Sequence, residues 1–188
     1  MKNRVVFIES EKIYLRPYDS EKDLSLFHFG KNSEEVRETL FLFSPMTKFQ
    51  VTDEMDNWIK NKENTLFTIC EKSSDIPIGI TGLFRIDSIS RAALFFISIY
   101  DPDFWSKGYG KEATKLVLKY SFDILNLNRI QLHVSKDNIK GVKAYEKAGY
   151  VIEGTLREAM YHNNKYVDFY VMGILRKEYY EERVKSKE

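Results

Sequence analysis

Asp103 to Ala113 reads D-F-W-S-K-G-Y-G-K-E-A, and it joins an apolar, strand-like run to a helical one through a turn punctuated by Gly108 and Gly110. A strand that feeds such a turn and opens straight into an amphipathic helix points unpaired backbone N–H groups and the positive end of the helix dipole at one spot. That arrangement suits a phosphate-bearing ligand. The spacing matches neither common nucleotide signature, because no glycine stands three residues after Gly110 and no Gly-Lys-Ser/Thr follows.

Downstream of the turn, Ala113, Leu116, Val117, Tyr120 and Ile124 recur at helical spacing, while Lys111, Glu112, Lys115 and Lys119 fall elsewhere on the wheel. Arg129 to Val134 is the next strand. A helix separates it from the strand ending at Tyr100, so a parallel βαβ crossover is the natural connection. Asn138 to Ala148 then reads as a helix ended by Gly149. Tyr150 to Tyr161 and Tyr166 to Leu175 flank the turn-rich His162-Asn163-Asn164-Lys165 and read as a hairpin, and the charged tail from Arg176 reads as helical.

Upstream, Leu66 to Glu71, Ile76 to Asp87 and Arg91 to Tyr100 are β-rich runs separated by turn residues, which predicts an antiparallel meander. Before them lie a short strand at Ile13 to Arg16, a helix through Phe29 with a capping-box signal at Ser20 and Asp23, and a helical segment from Ser33 to Leu40. A helix capped by Thr52 and running to Lys62 follows, with Met55, Trp58 and Ile59 on one face. No repeat, low-complexity tract or linker divides the chain, so a single domain over 1–188 is expected.

A chain of 188 residues can bury roughly 70% of the surface that its unfolded form exposes. With 29 Lys plus Arg against 28 Asp plus Glu, charge is balanced, and composition gives no support to a nucleic-acid partner. Cys70, the single cysteine, excludes an intramolecular disulfide and reads as a small buried hydrophobe. No signal peptide and no apolar run near the roughly 18 residues of a membrane span is present, so a cytoplasmic setting without membrane partners is expected.

W-S-K-G-Y-G opening a helix, then L-N-L-N-R-I-Q-L-H-V-S-K-D-N, A-Y-E-K-A-G-Y and E-G-T-L-R-E-A before a closing hairpin resembles the GNAT superfamily of acetyl-CoA-dependent N-acetyltransferases. It looks closest to the branch holding the ribosomal-protein and spermidine acetyltransferases. The resemblance runs from Ile13 to Leu175, strong from Ile78 and weak before Thr65, the part that would name the acceptor. It implies a mixed α/β fold with a central, mostly antiparallel, splayed sheet of about seven strands flanked by helices.

What the resemblance implies can be placed residue by residue. The coenzyme A pyrophosphate would be held by the backbone amides of Lys107, Gly108, Tyr109, Gly110 and Lys111. A Cβ at Gly108 or Gly110 would crowd the phosphate or strain the turn. Asn138 would hydrogen-bond the pantetheine arm, alongside the N-cap role that Asn favours in any case. Backbone N–H groups around Ile97 to Ile99 would bind the thioester carbonyl and the oxyanion that develops during attack. Tyr145 would protonate the departing thiolate, since a phenol of pKa about 10 can give its proton to a thiolate of pKa about 8–9 at small cost. Trp105 is assigned to packing beneath the loop.

One departure stands out. Relatives often carry a glutamate in an Arg-Ala-Glu-Leu-like segment, and here the segment is Arg91-Ala92-Ala93-Leu94. A dedicated base is therefore open among His133, Asp101, Asp103, a water chain, or an amine arriving already neutral. His28 and His162 have no spacing that suggests a metal site. The acceptor is a polyamine, an amino sugar or a peptide N-terminus; Glu34, Glu35, Glu38, Asp53, Glu54 and Asp56 would attract a polycation, or be charges of a solvated helical face. The missing glutamate motivates an alternative, a coenzyme A-binding sensor or scaffold without catalysis, and a nucleotide-binding domain of another fold is a third. The aromatic hairpin and the Tyr179-Tyr180 tail suit a homodimer contact or a cover for the sheet.

Overall fold

The computed structural model describes residues 4–185. The chain packs as two units, one running up to Leu83 and taking in Phe96–Val117, the other made of Phe84–Phe95 and the chain from Leu118 onward.

The first unit holds β1 (Ile8–Glu9), β2 (Ile13–Pro17), α1 (Ser20–Asn32), α2 (Glu34–Leu40), α3 (Lys48–Lys60) and β3 (Thr65–Glu71). It also holds most of β4 (Pro77–Asp87), the C-terminal half of β5 (Ala92–Ile99) and most of α4 (Tyr109–Lys119). β1 to β4 pair antiparallel in sequence order, with Leu15 opposite Ile69 and Thr68 opposite Ile80. The pairing continues into β5, where the Tyr100 N–H donates to the Ile78 carbonyl at 2.9 Å and the Thr81 hydroxyl to the Phe96 carbonyl at 2.8 Å. Phe27, Val36, Val51, Met55, Ile80 and Tyr100 form a buried cluster where α1, α2 and α3 meet β4 and the end of β5.

Helix starts differ from the sequence reading. Asp19, not Ser20, caps α1 by accepting the Glu21 N–H at 3.1 Å, and Asp23 is drawn inward by Arg16. α3 begins five residues earlier than expected, because Thr47 and Gln50 close a reciprocal capping box and leave Thr52 inside the helix, its hydroxyl bonded back to the Lys48 carbonyl. Of the expected apolar face, Met55 is buried and Ile59 is 51% exposed.

The second unit holds β6 (Arg129–Ser135), α5 (Ile139–Glu146), β7 (Val151–His162), β8 (Lys165–Leu175) and α6 (Arg176–Lys185), together with the remaining parts of β4 and β5. β5 and β6 run parallel over Ala92↔Arg129, Ala93↔Ile130 and Leu94↔Gln131, as the intervening helix requires. β8 lies between β6 and β7 and pairs antiparallel with both. The hairpin turns on Asn163 and Asn164, whose φ values of 49° and 62° give the left-handed pair that a tight two-residue turn demands.

α4 runs into a wider turn at Tyr120–Ile124, in which the Leu125 N–H reaches five residues back to Tyr120. The extra residue rotates the helix face: Phe122 is fully buried against Tyr179, whereas Ile124, expected inside, is 56% exposed. The class is mixed α/β with a mostly antiparallel sheet flanked by helices. Among the described residues eight strands are present where about seven were expected, the addition being the two-residue β1, too short to leave a pattern in the sequence. Cys70 is buried, and burial pushes its thiol above the ordinary range. Among the described residues no helix is long and apolar enough to cross a membrane.

Candidate active site

In the first unit, the apolar strand β5 passes through a short 3-10 turn, Pro102–Phe104, into the glycine loop and α4. The Asp101 carboxylate accepts the Asp103 N–H at 3.0 Å and caps that turn, so this candidate base already has a structural role. The Trp105 indole N–H donates to the Ile99 carbonyl at 2.9 Å, which fixes the loop to the strand it left and confirms Trp105 as a packing residue.

Gly108 has φ +91°, a conformation that side chains disfavour, and its carbonyl accepts the Glu112 N–H at 3.1 Å as the first bond of α4. The N–H groups of Tyr109, Gly110 and Lys111 therefore belong to the first turn, which has no carbonyl of its own helix to bind. A Cβ built on Gly110 would meet nothing nearer than Ile97 Cδ1 at 4.0 Å, so the chain is open on that side and close to β5. These amides, with the helix dipole behind them, fit a pyrophosphate.

Two further groups shape the loop, and neither is recognisable from local spacing. Lys12, about a hundred residues earlier, sends its ammonium to the Lys107 carbonyl at 3.4 Å, adding a third cation to Lys107 and Lys111. The Glu112 carboxylate, which would otherwise repel an anion at the helix start, is tied to the Ser10 hydroxyl at 2.6 Å and the Lys12 N–H at 2.9 Å. The cause of both is the turn between β1 and β2.

Ile97 and Ile99 alternate with Phe96 and Tyr100, whose polar backbone groups face β4. By the two-residue period of a strand, the N–H groups of Ile97 and Ile99 point away from β4.

In the second unit, Asn138 is the N-cap of α5: its side-chain oxygen accepts the Gly141 N–H at 2.9 Å, leaving the amide NH2 end to meet a ligand carbonyl. Tyr145 lies in the last turn of α5. The helix closes with a Schellman motif, in which the Tyr150 N–H returns to the Tyr145 carbonyl at 3.0 Å and the Gly149 N–H to the Glu146 carbonyl at 3.0 Å. Gly149 at φ +95° makes that closure possible. The Tyr-x-x-x-Gly-Tyr spacing is thus a geometric requirement, and it brings the rings of Tyr145 and Tyr150 together at 5.9 Å, edge to face, with Phe95 edge-on to Tyr145 at 6.2 Å. Burial pushes the Tyr145 phenol up to about 12.

Gly149→Ala should therefore destabilise the protein by about 1–2 kcal/mol from the left-handed backbone alone, and more once its Cβ meets Ile174 Cδ1 at 3.0 Å. Urea unfolding measures this.

The sequence left the base open. Ala93, where relatives often carry a glutamate, is 4% exposed and pairs with Ile130. His133 is exposed, with Nε2 at 3.1 Å from Gln131 Nε2.

A family model described as an acetyltransferase (GNAT) domain matches residues 12–151. A spermidine N(1)-acetyltransferase of Vibrio cholerae serotype O1 is 34% identical over 158 residues, spanning 84% of this chain and 90% of that protein. The spermidine N(1)-acetyltransferase of Escherichia coli K12 is 29% identical over 171 residues, 90% of this chain and 89% of that one. Among solved structures, spermidine N-acetyltransferase from Vibrio cholerae in complex with CoA and spermine superimposes with a TM-score of 0.82 at 31% identity, covering 89% of this chain and 98% of that chain. These similarities decide for an enzyme over a sensor, a scaffold or a nucleotide-binding domain of another fold. The chain belongs to the GNAT acetyltransferase family, whose members move an acetyl group from acetyl-CoA to an amine.

Proposed function

We propose that this enzyme acetylates a polyamine of the spermidine class, by direct attack of a neutral primary amine on the acetyl-CoA thioester. The observation that carries the substrate class is the similarity to proteins named for spermidine acetylation, both across the sequence and at the fold level. The first unit supports it. Glu34 and Glu38 stand one helical turn apart on α2, with Glu35 beside them, all exposed, and no ion pair holds them among the described residues. Not every acidic residue of this region has the same freedom. Glu54 is paired with the buried Lys31 at 2.7 Å, and Asp53 accepts from Asn57 at 3.2 Å.

In this reading the amides of Lys107, Gly108, Tyr109, Gly110 and Lys111 hold the pyrophosphate, and the Asn138 amide binds the pantetheine arm. The N–H groups of Ile97 and Ile99 hold the oxyanion, where fixed main-chain donors are most effective because they need no reorganisation as charge develops. With no carboxylate at Ala93, the amine enters as its free base and loses its proton to water after attack. Tyr145 returns a proton to the sulfur. A thiolate leaving within the protein is desolvated as the phenol is, so its proton affinity rises with that of Tyr145 and the two stay matched.

The test is an acceptor panel with acetyl-CoA and detection of free thiol. Spermidine and spermine should turn over; no turnover with either, alongside turnover of an amino sugar or a peptide N-terminus, overturns the polyamine reading. Within it, Glu34→Gln and Glu38→Gln should each raise the KM for spermidine roughly three- to fivefold at low salt, and less at high salt, since exposed charges are screened over about 8–10 Å. The KM for acetyl-CoA should not move.

The chain is further proposed to work as one domain over 1–188 and as a cytoplasmic homodimer. Val151, Leu156, Tyr161 and Tyr166 of the β7–β8 hairpin are 42–63% exposed, an apolar surface suited to a second copy. Sedimentation, limited proteolysis and cell fractionation test these points. A monomer, separately stable fragments, or protein outside the cytoplasm contradicts the corresponding statement.

A further inference from the structure

Within the first unit, the turn between β1 and β2 is fastened directly to the glycine loop and the start of α4, about a hundred residues later in the chain. The Lys12 main chain is held from two sides, its N–H donating to the Glu112 carboxylate at 2.9 Å and its carbonyl accepting the Lys72 N–H at 2.9 Å. Ser10 is fixed as well. Its hydroxyl donates to the same Glu112 oxygen at 2.6 Å, its N–H donates to the Ile13 carbonyl at 2.9 Å, and its carbonyl accepts the Lys72 ammonium at 3.0 Å. From this fixed base the Lys12 side chain crosses to the loop, where its ammonium donates to the Lys107 carbonyl at 3.4 Å and stands 4.0 Å from the place a Cβ on Gly108 would take.

That contact falls on a peptide whose orientation matters to an anion. The Lys107 carbonyl and the Gly108 N–H lie on opposite edges of one planar trans peptide, so a carbonyl held toward Lys12 sends the N–H the other way. Gly108, at φ +91°, accepts either sign of φ, so the glycine offers little resistance to rotation of that peptide. Reversed, the peptide would present an oxygen where a phosphate needs a donor. We propose that Lys12 is a positioning residue for the coenzyme A pyrophosphate, holding the Lys107 carbonyl so that the Gly108 N–H faces the phosphate, and that Glu112 acts through it by pinning the turn that carries Lys12. The proposal rests on the reading of the loop amides as the pyrophosphate grip. A cation on the carbonyl also polarises the peptide and strengthens its N–H as a donor. Glu112 thereby gains a role opposite to the one its charge suggests. By charge alone a carboxylate at the start of α4 repels a pyrophosphate, and removing it should tighten binding; as the anchor of the turn, its removal weakens binding.

The experiment measures by calorimetry the Kd for coenzyme A and for dephospho-coenzyme A, which keeps the pyrophosphate and lacks the ribose 3′-phosphate. Wild type, Lys12→Met, Lys12→Arg, Glu112→Ala, the double variant Lys12→Met with Glu112→Ala, and Gly108→Ala are compared, with kcat and the urea midpoint of each. Lys12→Met should weaken both ligands alike by about three- to tenfold, the size of one hydrogen bond from a charged group, with kcat within about twofold and the midpoint unchanged. Lys12→Arg, which keeps a charged donor, should recover most of the affinity. Glu112→Ala should weaken coenzyme A by about two- to fivefold in the wild type and no further in the Lys12→Met background, because the anchor then has nothing to aim. Tighter binding by Glu112→Ala overturns the proposal and leaves Glu112 as a repelling charge. A Lys12→Met loss confined to coenzyme A puts the ammonium on the ribose phosphate and overturns it too, as does a lowered midpoint with a wild-type Kd, which assigns the turn to folding alone. If Gly108→Ala weakens both ligands and Lys12→Met weakens neither, the positioning role fails and the pyrophosphate grip stands. If Gly108→Ala also binds as wild type, the grip itself fails and takes the proposal with it.

Discussion

Tyr145→Phe should lower kcat about 10²- to 10³-fold, the range of a lost general acid, with the KM for acetyl-CoA within about twofold of wild type. That loss corresponds to about 2.7–4 kcal/mol of transition-state stabilisation. Phenylalanine keeps the edge contacts with Phe95 and Tyr150 and the Schellman bonds, all of which come from the ring and the backbone. Only the hydroxyl is removed, so the donor still binds while the sulfur leaves unprotonated. Burial that pushes the phenol up to about 12 also fixes the pH behaviour. The neutral phenol is the form favoured in the folded state, so its contribution to stability is complete below about pH 10 and is lost as pH rises from there toward 12. The rate of the wild type should accordingly rise with pH as the amine loses its proton, with no fall attributable to Tyr145 below about pH 11. Unchanged turnover of Tyr145→Phe would falsify its role.

Asp23→Ala should destabilise the protein by about 3–5 kcal/mol, the cost of stranding one charge of a buried pair. Arg16 and Asp23 have side-chain exposures of 9% and 0%, and their two parallel hydrogen bonds measure 2.8 and 2.5 Å. The same carboxylate accepts the Thr68 hydroxyl at 2.7 Å and the Asp19 N–H at 2.9 Å, so it ties β2, the start of α1 and β3 together. Removing it leaves the guanidinium buried without a counter-charge and two other donors, the Thr68 hydroxyl and the Asp19 N–H, without an acceptor. Against a typical total of about 5–15 kcal/mol, the loss brings many proteins of this size near unfolding. Urea or guanidinium unfolding reads it directly. Thr68→Val, which removes one donor and keeps the volume, should cost only about 1 kcal/mol. Equal midpoints for Asp23→Ala and the wild type would show that the pair contributes nothing.

The elements surrounding the glycine loop were legible because each is written in a short window. Val117 and Leu116 at helical spacing, the alternation of Arg129 to Val134, and Asn163-Asn164 between two strands need only neighbouring residues to be read. Helix starts were less legible. Thr52 and Ser20 are good capping residues, but Thr47 with Gln50, and Asp19, won because Asp23 is taken up by Arg16 and because Asn32 holds the backbone of Met46, just before the reciprocal Thr47–Gln50 box. Ile124 failed for a related reason, since a single wide turn at Tyr120 breaks the period that the wheel assumed.

By itself, the sequence determined the glycine turn, the family pattern and the Tyr-x-x-x-Gly-Tyr spacing, each of which is governed by backbone conformation within about six residues. The tertiary structure alone decided the neighbours of those residues. Lys12 at the loop, the diversion of the Glu112 carboxylate to Ser10, the closure of Arg16 and Thr68 on Asp23, and the unpaired Tyr150 hydroxyl beside Tyr145 all depend on side chains packed together by folding. Apart from the tyrosine pair, these partners lie far apart in the chain, where no local spacing records them. Even for that pair, the sequence gives the spacing but not the burial that leaves the hydroxyl alone, because burial is a property of everything packed around it.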